Sequence, residues 1–389
     1  TREVAAMLTR SAIVHIGLEK TGSTAIQRWL AENRQALQAS GVLMPASIGF
    51  PNHTKLVSAC LDDGVVDNLK SHHLYAAGLS EQQFRRAIFT GLHDEIRRER
   101  SPWHTLLITS ELISSRLSLR SEIERLVDQL RCHVDRIRFV VFLRRQDHLA
   151  LSRFSSILRS GHTGFDDLFV DYSPSNFVRV PDQRPLSDDL FFYDFEAIIS
   201  RFEAVANAEV SVYFYGSDRP LEVFSSLLRL DASLCLEPGG RHNSAMSVEA
   251  QYLIANLNQT YPVQFVSGAR NEPYRRLQRS IEREVTGQSR SVSRLDAMDF
   301  LSRYAAINQR IEQRYGQPRG HGFPTGFAPY PESIDLAGIP ALMAERLSDY
   351  RSIAQAQVPE VEPLAWRLYN RLQRAKASLK RATRAFTSR

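Results

Sequence analysis

Short runs of continuous apolar residues alternate with longer amphipathic stretches through the first 230 positions of the chain. The apolar runs are strand-sized and lie at 12–17, 41–45, 105–110, 137–144 and 209–216. Apolar positions recur with a helical period at 23–38, 118–132, 145–160, 194–206 and 220–230. Strands that are apolar on both faces are typical of parallel sheets covered by helices. The pattern therefore predicts an α/β protein with a central parallel sheet.

The strand pattern fades after about residue 245, and the remainder is typical of helices interrupted by a segment rich in Pro and Gly at 317–340. This change predicts a core at 1–245 and a helical extension at 246–389 that shapes a ligand site or contacts a partner, either as a separate unit or as part of the same domain. The last stretch, 364–389, carries eight Lys or Arg residues and no acidic residue. Such a segment can bind an acidic partner or lie on an anionic membrane surface, or it is simply a solvated helix.

The composition of the chain limits the class of protein, its cellular compartment and its partners. The chain has 389 residues, 43% of them hydrophobic, a net charge of +6 and only three cysteines, which are far apart. No stretch approaches the roughly 18 apolar residues that a membrane span needs. The cysteines suggest neither a disulfide framework nor a zinc site, so we expect a cytoplasmic protein. The basic balance permits anionic partners without choosing among them.

The turn after the first predicted strand, in "HIGLEKTGST", has the character of an anion site. Helix N-termini present unpaired amide donors, and glycines such as Gly17 and Gly22 allow a ligand to approach the backbone closely. Lys20 would add a positive charge, although an ordinary turn with a solvated lysine is the simpler explanation. A triphosphate-binding loop would carry its lysine directly after the second glycine, whereas Lys20 precedes Gly22.

A second segment supports the interpretation of the glycine turn as an anion site. In "FVVFLRRQDHLALSRF", Arg144 ends a predicted strand and Ser152 follows in the next helix. Ligands of parallel α/β proteins bind at the carboxyl ends of the strands, and arginine is a forked donor for phosphate. We therefore expect Arg144 and Ser152 to bind one phosphate. The neighbouring Arg145 and Arg153 are expected on a solvated basic face.

These two segments resemble the 5′-phosphosulfate loop and the 3′-phosphate motif of sulfotransferases that use 3′-phosphoadenosine 5′-phosphosulfate (PAPS). The stretch 193–220 is similar to a helix–strand pair of bacterial carbohydrate sulfotransferases, and "RHNSA" at 241–245 resembles a basic loop that closes over the nucleotide. The resemblance covers about residues 12–245 and implies a P-loop-like three-layer fold. Glu19, where the family has a small residue or proline, and Ser23–Thr24, in place of Thr–Thr, depart from its pattern.

The resemblance also implies roles. Lys20 would stabilise the bridging oxygen as the sulfuryl group leaves, while Arg144 and Ser152 would hold the 3′-phosphate. No metal is expected. The residues that the resemblance assigns to cofactor binding are Lys20, Thr21, Gly22, Ser23, Thr24, Ala25, Arg144, Ser152 and Arg241.

The acceptor hydroxyl must lose a proton, and two residues are candidates for the base. His53, in "FPNHTKL", titrates near neutral pH, and Glu111, in "LLITSELI", follows a strand at the expected active edge. His53 is slightly preferred, with Glu111 expected near Lys20 or the acceptor. A capping or surface histidine and a helix N-terminal acid are the alternative interpretations.

The sequence thus predicts an enzyme that transfers a sulfuryl group to a hydroxyl of a carbohydrate or glycolipid. The acceptor class rests on the resemblance alone, and no nucleic acid is expected as a partner. Peripheral contact with the inner face of the membrane through the basic C-terminal helix is a further expectation. The alternatives are a nucleotide-dependent kinase or NTPase, and a non-catalytic protein of this fold that binds glycans or membranes.

Overall fold

A computed structural model describes residues 9–65, 67–166, 168–169, 192–205, 208–230 and 246–361. Its centre is a five-stranded sheet in the order β2-β3-β1-β4-β5, and every pairing is parallel. Each strand lies within two residues of a predicted apolar run. The strands are β1 (Ser11–Gly17), β2 (Val42–Leu43), β3 (Thr105–Thr109), β4 (Arg136–Leu143) and β5 (Ala208–Phe214).

Helices separate these strands, as parallel pairing requires. The predicted helix at 23–38 is divided at Asn33, whose side-chain amide donates to the Trp29 carbonyl and so ends the first helix. The helices of this part are α1 (Ser23–Glu32), α2 (Arg34–Ala39), α3 (Thr54–Cys60), α4 (Asn68–Ala77), α5 (Glu81–Arg98), α6 (Leu112–Arg116), α7 (Arg120–Arg131), α8 (Gln146–Arg159), α9 (Phe195–Glu203) and α10 (Pro220–Leu227).

Both faces of the sheet are buried. Along β1, Ala12, Val14 and Ile16 pack in a cluster with α3, α5, α7 and α9. Ile13 points the other way, into a cluster with α1, α2 and α10. This alternation follows from the two-residue period of a strand, and it produces helices, sheet and helices in three layers. The predicted α/β three-layer fold with a parallel sheet is confirmed, with the glycine turn between β1 and α1 as in P-loop proteins.

From 246 to 361 the described chain forms helices and two isolated bridges, Ser247 with Ser289 and Gln264 with Arg270. The helices are α11 (Val248–Asn258), α12 (Glu272–Glu284), α13 (Arg294–Ser302), α14 (Ala305–Ile311), α15 (Ile339–Leu342) and α16 (Ala344–Gln357), with a π-helical turn at Glu312–Gly316 and a 3₁₀ turn at Gln317–Arg319 after α14. The helical character predicted for this region is thus observed where the structure describes it.

The extension is built onto the core through α8. Phe154, Ile157 and Leu158 of α8 pack in the cluster that contains α11, α12 and α16. At the start of α8, the Gln146 amide donates to Asn308 Oδ1 at 2.8 Å, and Asn308 donates back at 3.0 Å. One helix therefore borders the sheet and the extension together. The proposed boundary at residue 245 stays a prediction.

Candidate active site

The glycine loop, residues 17–22, joins β1 to α1 at the carboxyl edge of the sheet. Lys20 and Gly22 have φ values of 65° and 85°, so two left-handed residues turn the backbone before the helix begins. The Thr21 hydroxyl donates to the Leu18 carbonyl at 2.6 Å and closes the loop on itself. The turn is therefore compact and internally bonded.

Both glycines are needed because other groups approach them closely. A Cβ at Gly17 would lie 2.8 Å from Ser114 Oγ and 2.9 Å from the Glu111 carbonyl oxygen. A Cβ at Gly22 would lie 3.3 Å from the Tyr215 ring. Gly17 therefore lets the loop pack against the end of β3, and Gly22 lets it pack against the segment after β5.

Helix α1 begins without a side-chain cap, and its first turn contains no acidic residue. Its first amides are donors of the kind that bind phosphate. The Ala25 amide already donates to the Gly22 carbonyl at 2.9 Å, so the amides of Ser23 and Thr24 are the better placed donors. Ser23 is buried while Thr24 is exposed, which puts the Thr24 hydroxyl toward solvent.

Arg144, at the end of β4, contacts the glycine loop directly. Its Nη1 donates to the Lys20 carbonyl oxygen at 3.0 Å, and its guanidinium carbon lies 5.3 Å from the centre of the Tyr215 ring. The structure thus brings together the two segments singled out in the sequence, although 124 positions separate them. Ser152 is half-buried in the second turn of α8, and no hydrogen bond between described residues joins it to Arg144. Arg241 lies outside the described residues.

Lys20 is half-buried among charges of both signs. Burial lowers the pKa of its ammonium group, and the charges of Arg159 and Arg144 lower that pKa further. The carboxylates of Glu19 and Glu111 act in the opposite direction. The charge of Glu111 therefore acts on Lys20.

Glu111 lies two residues beyond β3 and accepts hydrogen bonds from the side-chain amides of Gln27 and Asn52. We call these three residues the Glu111 cluster. Gln27 Nε2 donates to Oε2 at 2.6 Å, and Asn52 Nδ2 lies 3.2 and 3.1 Å from the two carboxylate oxygens. Burial raises the pKa of Glu111, although these hydrogen bonds counteract part of that rise. A carboxylate with a raised pKa beside a lysine is a typical general base.

His53 has a different environment from the one that the sequence suggested. It is fully buried, its Nδ1 accepts from the Thr109 amide at 2.9 Å, and its Nε2 lies 2.9 Å from the Pro45 carbonyl oxygen. Burial lowers its pKa to about 4. Both ring nitrogens are thus occupied by backbone groups, and the ring ties the end of β3 to the 45–53 segment. The slight preference for His53 as base is revised in favour of Glu111.

Glu19, the unexplained departure from the family pattern, has a structural account. It accepts from the Ser115 hydroxyl at 2.9 Å, and its Oε2 lies 3.8 Å from Arg153 Nε. The Arg153 guanidinium in turn stacks 3.5 Å from the centre of the Phe192 ring. Glu19 therefore fastens the glycine loop to the segment after β3 and to α8.

The expectation that Arg145 and Arg153 form a solvated basic face is wrong. Arg153 is 2% exposed and Arg145 is 3% exposed. Arg145 makes two hydrogen bonds with the Asp147 carboxylate, at 2.8 and 2.7 Å, and Tyr330 donates to the same carboxylate at 2.7 Å. These arginines hold the start and middle of α8 in place rather than meeting solvent.

Four contributors to the site were missed in the sequence: Gln27, Asn52, Arg159 and Tyr215. Only Asn52 had a signal, since it stands beside His53 in "PNHT". The other three depend on packing between distant segments.

Among the described residues, no group of three or more His, Cys, Asp or Glu side chains is placed to hold a metal ion. No helix in the described part of the chain is long and apolar enough to cross a membrane.

Comparison with known proteins adds little. No protein-family model matches the chain, and no curated protein matches it. A crystal structure of a sulfotransferase from Alicyclobacillus acidocaldarius is similar over 64% of this chain and 93% of its own, with a TM-score of 0.37 and 12% sequence identity. A similarity this low does not indicate a function.

Proposed function

We propose that this chain is a sulfotransferase that moves the sulfuryl group of PAPS to a hydroxyl of a carbohydrate or glycolipid. The observation that carries the proposal is the 3.0 Å hydrogen bond from Arg144 to the Lys20 carbonyl. Because of this bond, Arg144, which we propose to hold the 3′-phosphate, lies against the loop that we propose to bind the 5′-phosphosulfate. A nucleotide with phosphate groups at both its 3′ and 5′ positions would need two such sites side by side.

The glycine loop fits a 5′-phosphosulfate. The left-handed residues Lys20 and Gly22 direct the chain into an uncapped helix, and the early amides of α1 can donate to phosphate oxygens. Thr21 serves the loop itself through its bond to Leu18. Arg144 would donate to the 3′-phosphate, with Ser152 as an additional hydroxyl. These residues could bind the donor without a metal.

Lys20 would act on the leaving group. As the bond between sulfur and the bridging oxygen breaks, negative charge develops on that oxygen, and a neighbouring ammonium stabilises it. The lowered pKa of Lys20 also makes its proton easier to give up to that oxygen. Positioning and charge stabilisation account for most of the catalysis in transfers of this kind.

Glu111 would act on the acceptor. The attacking hydroxyl oxygen forms the new bond to sulfur, and its proton passes to the Glu111 carboxylate. Gln27 and Asn52 orient this carboxylate through the hydrogen bonds described above. Because burial raises its pKa, Glu111 is a stronger base than an exposed carboxylate. Glu111 would therefore be the base, and His53 would hold the adjoining segment in place.

A kinase or NTPase is the second candidate, and one observation favours it. Such an enzyme needs a carboxylate at the end of a strand beside β1, and Glu111 follows β3, which pairs with β1. The position of Lys20 before Gly22 argues against it, because a triphosphate loop has its lysine after that glycine. Magnesium dependence of nucleotide binding separates the two candidates.

The proposed activity is tested by transfer of labelled sulfate from PAPS to a panel of cell-surface glycans and glycolipids. We expect labelled product with the wild-type chain and at most trace product with Lys20→Ala. If no member of the panel is labelled although the chain binds the nucleotide, a non-catalytic glycan-binding or membrane-binding role is favoured. A cytoplasmic location and membrane contact through the basic C-terminal tail, which lies outside the described residues, remain proposals.

A further inference from the structure

The segment after β5 carries a tyrosine whose ring lies between the two proposed phosphate sites. A Cβ at Gly22 would lie 3.3 Å from Cε2 of Tyr215, so this ring borders the glycine turn. The guanidinium carbon of Arg144 lies 5.3 Å from the centre of the same ring, within the range of a cation–π contact. Tyr215 therefore touches both the proposed ligand of the 3′-phosphate and the turn proposed to bind the 5′-phosphosulfate.

The Arg144 side chain is restrained by two contacts of different kinds. Its Nη1 donates to the Lys20 carbonyl oxygen at 3.0 Å, and its guanidinium packs on the Tyr215 ring. A guanidinium has five N–H donors, so the bond to Lys20 leaves donors for a phosphate. An arginine that is held before the ligand arrives loses less conformational freedom when it binds. The two contacts therefore prepare Arg144 for an anion.

Tyr215 is itself fixed by the backbone around it. Its amide donates to the Leu143 carbonyl at 2.7 Å, and Leu143 is the residue directly before Arg144. The Asp218 amide donates to the Phe214 carbonyl at 2.7 Å, and the Phe214 amide donates to Asp218 Oδ2 at 2.6 Å. This reciprocal pair closes the turn that follows the tyrosine. The position of the ring relative to the end of β4 is therefore well determined.

A segment of the helical extension, residues 321–326, lies against this turn, and we call it the strap. The Ser217 hydroxyl donates to the Gly322 carbonyl at 2.9 Å. His321 Nε2 lies 3.0 Å from Asp218 Oδ1. The extension thus contacts the turn through two side chains that follow Tyr215 closely in the chain.

The strap is also fastened to the core on the side of β4. Arg145 Nη1 donates to the Pro324 carbonyl at 2.7 Å and to the Gly326 carbonyl at 2.9 Å. Between these two residues and the turn, Phe323 is buried in the cluster under the sheet. Because Arg145 directly follows Arg144, the strap joins the segment that carries the arginine to the segment that carries the tyrosine.

We infer that Tyr215 is a positioning residue that makes the site selective for a nucleotide 3′,5′-bisphosphate over a 5′-phosphate, and that the strap holds Tyr215 in place. This inference rests on the proposed function, because it acts through Arg144. The glycine loop needs Tyr215 less, since the bond from Thr21 to Leu18 closes it. The core therefore supplies the phosphate ligands, and the extension determines how firmly one of them is held.

Calorimetric titrations with adenosine 3′,5′-bisphosphate and, separately, with adenosine 5′-phosphate test the role of Tyr215. Tyr215→Leu should weaken binding of the bisphosphate by about three- to tenfold and leave that of the 5′-phosphate within about twofold. Tyr215→Phe keeps the ring and should keep the affinity for both. Tyr252→Leu removes a half-buried tyrosine from α11 and serves as the matched control, with both affinities unchanged.

Two double variants separate the arginine from the strap. Arg144→Gln/Tyr215→Leu should bind the bisphosphate within about twofold of Arg144→Gln alone, because the tyrosine acts through the arginine. Ser217→Ala/His321→Ala removes two contacts between the strap and the turn. It should weaken binding of the bisphosphate by about two- to fivefold and spare the 5′-phosphate. Urea unfolding of each variant shows that the fold is retained.

Equal losses for the two nucleotides in Tyr215→Leu would overturn the inference, as would a loss in Tyr215→Phe as large as that in Tyr215→Leu. A further loss on adding Tyr215→Leu to Arg144→Gln would show that the tyrosine does not act through the arginine. Unchanged binding in Ser217→Ala/His321→Ala would remove the strap from the account. A wild-type chain that does not bind the bisphosphate refutes the proposed function, whereas these outcomes in a chain that binds it refute the inference alone.

Discussion

The glycine loop and the Glu111 cluster are neighbours in the candidate site, but they are assembled differently. The loop is closed by a bond between neighbours in sequence, Thr21 and Leu18, and distant residues such as Arg144 and Ser115 then fasten it to the rest of the core. The Glu111 cluster joins three separate segments through Gln27, Asn52 and Glu111 itself. A continuous stretch of chain thus carries the donor chemistry, whereas the acceptor chemistry depends on how the segments pack.

This difference predicts that substitutions in the glycine loop and in the Glu111 cluster have different effects. A change at Lys20 should alter donor binding or the leaving group and spare the fold, because its side chain is only half-buried. A change behind the Glu111 cluster should alter stability first, because groups such as His53 are fully buried and bonded to backbone.

Lys20→Ala should have the largest effect on the donor half. We expect turnover to fall on the order of 10²–10³-fold, because the developing charge on the bridging oxygen loses its neighbouring cation. The midpoint of urea unfolding should remain close to that of the wild type. Arg28→Ala removes an exposed charge from α1 and serves as the control. Equal turnover in the Lys20 and Arg28 variants would remove Lys20 from the mechanism.

Glu111→Gln should lower turnover by about 10²-fold or more while adenosine 3′,5′-bisphosphate still binds, because the amide cannot accept the proton. In the wild type, turnover should rise with pH through the raised pKa of Glu111, which must be deprotonated. It should fall again as Lys20 loses its proton through its lowered pKa.

The Glu111 variant should therefore lose the acidic limb of the pH profile and keep the alkaline limb. A profile unchanged in shape would mean that another group takes the proton. Measurement of turnover between pH 4 and pH 10 decides this point, provided that binding of the nucleotide is checked at each pH.

Arg144→Gln should weaken binding of adenosine 3′,5′-bisphosphate by about tenfold, because it removes a charge-assisted hydrogen bond to phosphate. Adenosine 5′-phosphate, which lacks the 3′-phosphate, should bind with little change. Arg136→Gln alters an exposed arginine at the other end of β4 and is the matched control. Equal losses for both nucleotides would show that Arg144 supports the loop rather than reading the 3′-phosphate.

His53→Ala should have the smallest direct effect on chemistry and a large one on stability. The buried Thr109 amide and Pro45 carbonyl would lose their partner, which costs about 2–4 kcal/mol in the free energy of unfolding. Urea unfolding measures this cost. A turnover loss of about 10²-fold or more in a variant with wild-type stability would instead restore His53 as the base.

The same residue gives the wild type a pH-dependent term. The pKa of His53 is lowered from 6.5 to about 4, so between these values the unfolded chain binds a proton that the folded chain does not. This contribution to stability is complete above pH 6.5 and is lost as the pH falls toward 4. His53→Ala should flatten the dependence in that range.

The sheet, its three layers and the position of the glycine loop could be predicted because local periodicity determines them. The contact of Arg144 with the loop could also be predicted, because parallel strands end at the same edge of the sheet. The environment of His53 could not be predicted, because no local pattern shows that both of its ring nitrogens have backbone partners. Burial of Arg153 against Phe192, and of Arg145 against Asp147, likewise depends on contacts that no local pattern records.

The central claim is that the glycine loop and Arg144 bind a nucleotide with phosphates at both its 3′ and 5′ positions. Calorimetric titration of the wild-type chain with adenosine 3′,5′-bisphosphate, in the presence of a magnesium chelator, tests it most directly. We expect saturable binding at one site, with no increase in affinity when magnesium is added. Absence of binding under these conditions, together with tight binding of ATP only when magnesium is present, would contradict it.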